Sequence, residues 1–176
     1  VYSPANGQLV PAFGAETFCM DDFEATAELE EGAATLGATV RDFELQNCES
    51  GEFVSVHQIG AQAKAVWFVA TAGWCPACRQ FIPQVVDVQG QVTNGDLETV
   101  FVVGENNNYA QPTLAFCKEY ASHYMDDATR FYIDHDGRSS FATTFDHIWP
   151  YLGPNGEFGL PWNGLVRGGT FEYEYA

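Results

Sequence analysis

Two cysteines three residues apart, Cys75 and Cys78, carry the most legible chemistry in this chain, in the run Trp74-Cys75-Pro76-Ala77-Cys78-Arg79. A dithiol at that spacing can close to a disulfide and reopen, passing two electrons to or from another thiol pair. Only a thiolate attacks a disulfide, so one of the two sulfurs has to ionise readily. Pro76 suits the first turn of a helix, where a missing N–H costs nothing. That places Cys75 at the helix N-cap, where unpaired N–H groups and the helix dipole favour an anion. Cys75 is therefore the expected nucleophile. Cys78, one turn on and less exposed, is the expected resolving thiol. Trp74 gives the sulfur an apolar wall, and Pro76-Ala77 fixes the turn. The alternative is a structural disulfide or an idle thiol pair.

The elements that must position this pair are readable on either side of it. Ala65-Val66-Trp67-Phe68-Val69-Ala70 is a continuous apolar, β-prone run, the pattern of a strand buried on both faces. It ends at Ala72-Gly73, directly before Trp74. Phe81, Ile82, Val85, Val86 and Val88 give the following helix an apolar side, and Pro83 inside it predicts a kink. Leu97 to Val103 reads as a second buried strand, and residues 111–124 as a helix opened by Gln111-Pro112-Thr113. Upstream, Val40, Phe43 and Leu45 lead into the turn Asn47 to Glu52, and Phe53-Val54-Ser55-Val56 completes a hairpin. Downstream come a short strand at 129–133, a turn at Asp134-His135-Asp136-Gly137 and a helical turn or two from Ser139 to Phe145. A second hairpin joins Gly164–Val166 to Phe171–Tyr175. The order describes an α/β fold with a mixed sheet: parallel strands linked by helices, flanked by antiparallel hairpins.

Residues 1–36 lack a long periodic pattern and read as an arm on a domain spanning 37–176, anchored by Tyr2, Phe13, Phe18 and Phe23. Of the five cysteines, Cys19 and Cys48 sit among turn-forming residues. A Cys19–Cys48 disulfide fits an exported protein; two unpaired cysteines is the other reading. Cys117 shares a helical face with Leu114, Tyr120 and Ala121 and reads as a small buried hydrophobe.

The chain carries 24 acidic and 7 basic residues, a net charge of −17. That argues against nucleic acid or anionic lipid as partner, since both require Lys and Arg to neutralise phosphates. A solvated acidic surface is the plain reading, a cationic partner the sharper one. No apolar run reaches the length of a membrane span. Val1 opens no signal peptide, so a leader was removed before this numbering or none existed. A single C-x-x-C with no histidine at ligand spacing is not a zinc site. Asp134-x-Asp136-Gly137 lacks the later ligands of a calcium loop and reads as a turn. His57, His123, His135 and His147 belong to no motif. No metal and no cofactor are expected.

Taken together, the tryptophan-flanked C-x-x-C after an apolar strand, Pro83 five residues beyond Cys78, and Leu160-Pro161 just before a strand resemble the thioredoxin superfamily. The upstream hairpin, from Gly37 through Val40, Phe43, Leu45 and Gln46 and again from Gly51 to Val56, is similar to that of its redoxin branch. The stretch Phe131 to Gly137 resembles that branch's mid-domain strand and turn. The similarity covers about residues 37–175. It implies a thioredoxin-like fold, with Pro161 as the cis-proline that packs beside the cysteines and pairs with the substrate backbone. Leu160 and Trp162, with Trp74 and Pro76, then border the docking surface. The loop Trp149-Pro150-Tyr151-Leu152 with Trp162 is either core packing or a rim for a partner.

The resemblance further implies an exported, extracytoplasmic thiol-disulfide oxidoreductase acting on a protein partner. Three departures accompany it. The strand Val66 to Ala70 has no buried carboxylate to take a proton from the resolving thiol. No closing helix follows the last strand, which leaves one sheet face less covered. Ala72 stands where a peroxidase of the branch has Thr or Ser. A second reading is a secreted assembly subunit that keeps the fold and forms homo-oligomers or filaments through its arm.

Overall fold

The computed structural model describes residues 2–5, 8–11, 37–92, 94–148 and 159–175. Strands β1 (Tyr2–Ala5) and β2 (Gln8–Pro11) pair antiparallel in a two-stranded sheet of their own. The expected anchors Phe13, Phe18 and Phe23, together with Cys19 and the loop Trp149 to Leu152, lie outside the described residues.

The main body is a seven-stranded mixed sheet. In chain order it contains β3 (Glu44–Asn47), β4 (Phe53–Ser55), α1 (Val56–Gly60), β5 (Ala65–Ala72), α2 (Pro76–Gln91), β6 (Leu97–Glu105), α3 (Leu114–Ser122), β7 (Phe131–Ile133), α4 (Ala142–Ile148), β8 (Trp162–Arg167) and β9 (Tyr173–Tyr175). The strand order is β4-β3-β7-β6-β5-β8-β9, with β5, β6 and β7 parallel and the outer pairs antiparallel. Helical crossovers α2 and α3 link the parallel strands, since parallel neighbours need a crossover connection.

Alternation along β5 divides the core. Val66, Phe68 and Ala70 face one side with Phe43, Phe141, Ile148 and Tyr173. Trp67 and Val69 face the other, against Ile82 and Val85 of α2 and Tyr120 of α3. The face expected to stand less covered is filled by Val56 of α1, Phe141 and Ile148, all buried. Val56 opens α1 instead of closing the hairpin strand, because the Ser55 hydroxyl caps that helix by accepting from the Gln58 N–H. The edge at β9 is also met: Gly37 and Val40 donate to the carbonyls of Tyr173 and Phe171, and Tyr173 donates to Ala38.

Helix α2 runs unbroken through the exposed Pro83, with Cys78, Ile82 and Val85 along its buried face. Helix α3 is shorter than its apolar pattern, beginning where the Thr113 hydroxyl accepts from the Phe116 N–H.

Candidate active site

Strand β5 delivers the dithiol to the C-terminal edge of the sheet. Past Ala72 the chain turns at Gly73, whose N–H donates to the Glu105 carbonyl at the end of β6, 2.9 Å away. A side chain is impossible at that turn without movement. A Cβ on Gly73 would lie 2.5 Å from the Phe116 ring and 2.9 Å from the Asn107 backbone nitrogen. The Arg79 guanidinium donates back to the Gly73 carbonyl and closes the loop over the start of α2.

Cys75 is the N-cap of α2 as expected, with extended backbone (φ −82°, ψ 105°) and Pro76 in the first turn. Its Sγ accepts from the Cys78 N–H at 3.0 Å. Cys75 and Cys78 are joined by a disulfide with Cα atoms 5.3 Å apart. Cys78 is fully buried and Cys75 only 2% exposed, with Trp74 and Leu160 packed against the pair. The Leu160-Pro161 peptide is cis. It leads into β8, whose first residue, Trp162, pairs with Ala70 two residues before the end of β5. Cys75, Cys78, Trp74 and Leu160 therefore meet in one apolar cluster, and the cis-proline stands at the head of the neighbouring strand. Pro76 is exposed. Trp162 is half-buried and packs on the core side of the sheet.

Two neighbours of Trp74 escaped the sequence reading. Its indole N–H donates to the Glu105 carboxylate, whose other oxygen accepts from the Ser140 hydroxyl at 3.1 Å. Tyr109, 68% exposed and at a positive φ of 57°, stacks on the indole with ring centroids 4.8 Å apart. Glu105 lies beyond the strand read as Leu97 to Val103, and nothing in sequence ties it to a residue 31 positions earlier. On the β5 face toward α3 the buried polar group is Thr71, whose hydroxyl meets the Tyr120 hydroxyl at 2.8 Å. Burial, partly offset by the Thr71 hydrogen bond, pushes the Tyr120 phenol well above its ordinary range.

The second pair of cysteines corrects the sequence expectation. Cys48 is bonded to Cys117, 69 residues away, with Cα atoms 5.8 Å apart, so a Cys19–Cys48 bridge does not form. Cys48 lies in the β3–β4 turn, which the sheet sets against α3. Cys117 is buried as expected, but as a half-cystine. Its helical face was legible; the partner was not, because five cysteines allow several pairings.

Among the solved structures, similar folds include a candidate protein disulfide isomerase from Bacteroides thetaiotaomicron (15% identity, 80% of this chain and 76% of that one covered, TM-score 0.55). Others are a domain of a possible thiol-disulfide isomerase from Cytophaga hutchinsonii (12%, 80% and 82%, TM-score 0.58) and a candidate thiol:disulfide interchange protein DsbE from Chlorobium tepidum (16%, 79% and 82%, TM-score 0.53). The fold is thioredoxin-like. The redoxin family profile matches residues 35–151, and the chain belongs to that family. No protein of curated function is a significant match to the sequence.

Proposed function

We propose that this redoxin is an exported thiol-disulfide oxidoreductase acting on protein partners through Cys75 and Cys78. The carrying observation is the Cys75–Cys78 pair at the N-terminus of α2, packed against Leu160 of the cis Leu160-Pro161 peptide. In the reducing direction the Cys75 thiolate attacks a partner disulfide. One S–S bond forms between the two proteins, and the partner's second sulfur leaves as a thiolate. Cys78 then attacks the Cys75 sulfur, closes the intramolecular disulfide and releases the partner's first sulfur. Two electrons and two protons have passed to the partner. The oxidising direction is the reverse. Pro161 orients the partner chain, with Trp74, Pro76, Leu160 and Trp162 around it. Cys75 is covered in the disulfide form, so a partner thiol reaches it by displacing Leu160 or Trp74.

Support for an extracytoplasmic setting comes from the buried Cys48–Cys117 disulfide, which lies apart from the cycling pair and is of a kind typical of oxidising compartments. The shared fold with a protein named as a DsbE candidate is consistent with it. The test is insulin reduction in the presence of dithiothreitol. Cys75→Ser is expected to abolish activity, and Cys78→Ser to accumulate the mixed disulfide. Full activity in Cys75→Ser overturns the reading, as does a Cys75–Cys78 pair that never cycles.

A further inference from the structure

The Cys48–Cys117 bond lies outside the dithiol chemistry just described, yet it is anchored in the helix that supports the reactive loop. Helix α3 meets that loop twice. Phe116, the neighbour of Cys117, lays its ring against Gly73, two residues before Cys75. Tyr120, three residues beyond Cys117, bonds to Thr71 at the end of β5. Between α2 and α3 the packing is incomplete: a cleft of about 360 Å³ opens between Arg79 and the Phe116, Tyr120 and Tyr124 rings. Helix α3 lies instead on the sheet, where Cys117, Tyr120 and Ala121 are buried with Phe101 and Phe131.

To this burial the β3–β4 turn adds a second hold on α3. Cys48 is bonded to Cys117. Glu49 pairs with Lys118 at 3.3 Å. Leu114 sits so close to Gly51 that a Cβ there would approach it to 3.1 Å. The turn is in turn fixed to β7, because Cys48 donates to the Phe131 carbonyl and Asn47 to the Thr129 carbonyl. An exposed ion pair contributes little, so the covalent bond is the strong member of this set.

We infer that the Cys48–Cys117 disulfide is a positioning device for the Cys75–Cys78 pair, acting through α3 and the Phe116–Gly73 contact. With α3 held, the Gly73-Trp74-Cys75 turn keeps the Cys75 sulfur on the Cys78 N–H, and the helix terminus favours its thiolate. With α3 released, that donor geometry loosens, the thiolate is less favoured, and the dithiol becomes both less reactive and more reducing. The inference deepens the oxidoreductase reading and rests on it for its biological meaning, but its measurement needs no partner protein.

The experiment compares the full chain with Cys48→Ala/Cys117→Ala and with Phe116→Ala, which keeps the disulfide and removes the contact on Gly73 together with the Tyr120 stacking. Val40→Ala, in the core on the opposite sheet face, serves as a destabilised control. The readouts are the equilibrium of Cys75–Cys78 with glutathione and the rate at which reduced Cys75 reacts with iodoacetamide at a pH low enough that Cys75 is mostly thiol. Both α3 variants are expected to lower the reduction potential by about 14 mV, a threefold change in the equilibrium, and to slow alkylation about twofold, because the more basic thiolate is also the better nucleophile. Val40→Ala leaves both unchanged. An unchanged potential and rate in either α3 variant, or an equal shift in Val40→Ala, overturns the inference. If that double variant does not fold, Cys48→Ala/Cys117→Val takes its place. A wild-type protein that reduces no insulin while the α3 variants still shift the potential sinks the proposed function and leaves the inference standing.

Discussion

At the scale of single residues, the site depends on one position with no side chain. Gly73 lies between the Phe116 ring and Asn107, whose side chain can move but whose backbone nitrogen, 2.9 Å from a Cβ there, cannot easily yield. Gly73→Ala is expected to cost about 1–3 kcal/mol in urea unfolding, the usual penalty for overpacking against unyielding neighbours. It is also expected to slow insulin reduction, since the next two residues are Trp74 and Cys75. The same substitution at Gly90, in the last turn of α2 where a Cβ meets nothing, is the comparison and is expected to leave stability unchanged or raise it by up to about 1 kcal/mol. Trp74 is held from two sides, by the Glu105 carboxylate and by the Tyr109 ring, so its place beside the sulfur is set by groups far from it in sequence.

At the scale of elements, the helices begin where side chains supply the missing acceptors. Thr113 caps α3 and Cys75 caps α2. Helix α4 relies on a more distant group. The buried Asp134 carboxylate accepts from the Thr143 N–H at 3.2 Å and the Thr144 N–H at 2.6 Å, while the Asp134 carbonyl accepts from Phe141. The sequence reading took Asp134 as part of a plain turn; the fold makes it the anchor between β7 and α4. Asp134→Ala is expected to destabilise the protein by about 1–2 kcal/mol, with the loss of a helix cap as its cause. Urea unfolding measures it, and an unchanged midpoint would show that α4 is held by packing alone.

At the scale of the whole molecule, a net charge of −17 on a 176-residue chain acts against compaction. Self-repulsion between like charges is screened by salt, with a Debye length of about 10 Å at 0.1 M. The thermal midpoint is therefore expected to rise between low salt and about 0.5 M NaCl. A midpoint that falls over this range would mean that ion pairs such as Arg130–Glu98 and Arg167–Glu174 outweigh the repulsion.

The same two scales of distance separate what was legible in the sequence from what was not. Local patterns record how a residue meets its near neighbours and whether its face is buried. They were enough for the β5 run and Pro76 at the start of α2. They were enough, too, for the apolar face of α3 and the hairpin turning at Asn47. Cys75 and Cys78 fall in this class because three residues and one helix turn bring them together. What local patterns do not record is which buried face meets which. The sequence by itself therefore determined the dithiol, its place at a helix terminus and the alternating order of strands and helices. Only the tertiary structure decided that Cys48 joins Cys117 across 69 residues, that Glu105 holds Trp74, and that Phe116 lies on Gly73. Each of those contacts exists because the sheet places distant segments side by side, and a one-dimensional pattern carries no term for that proximity.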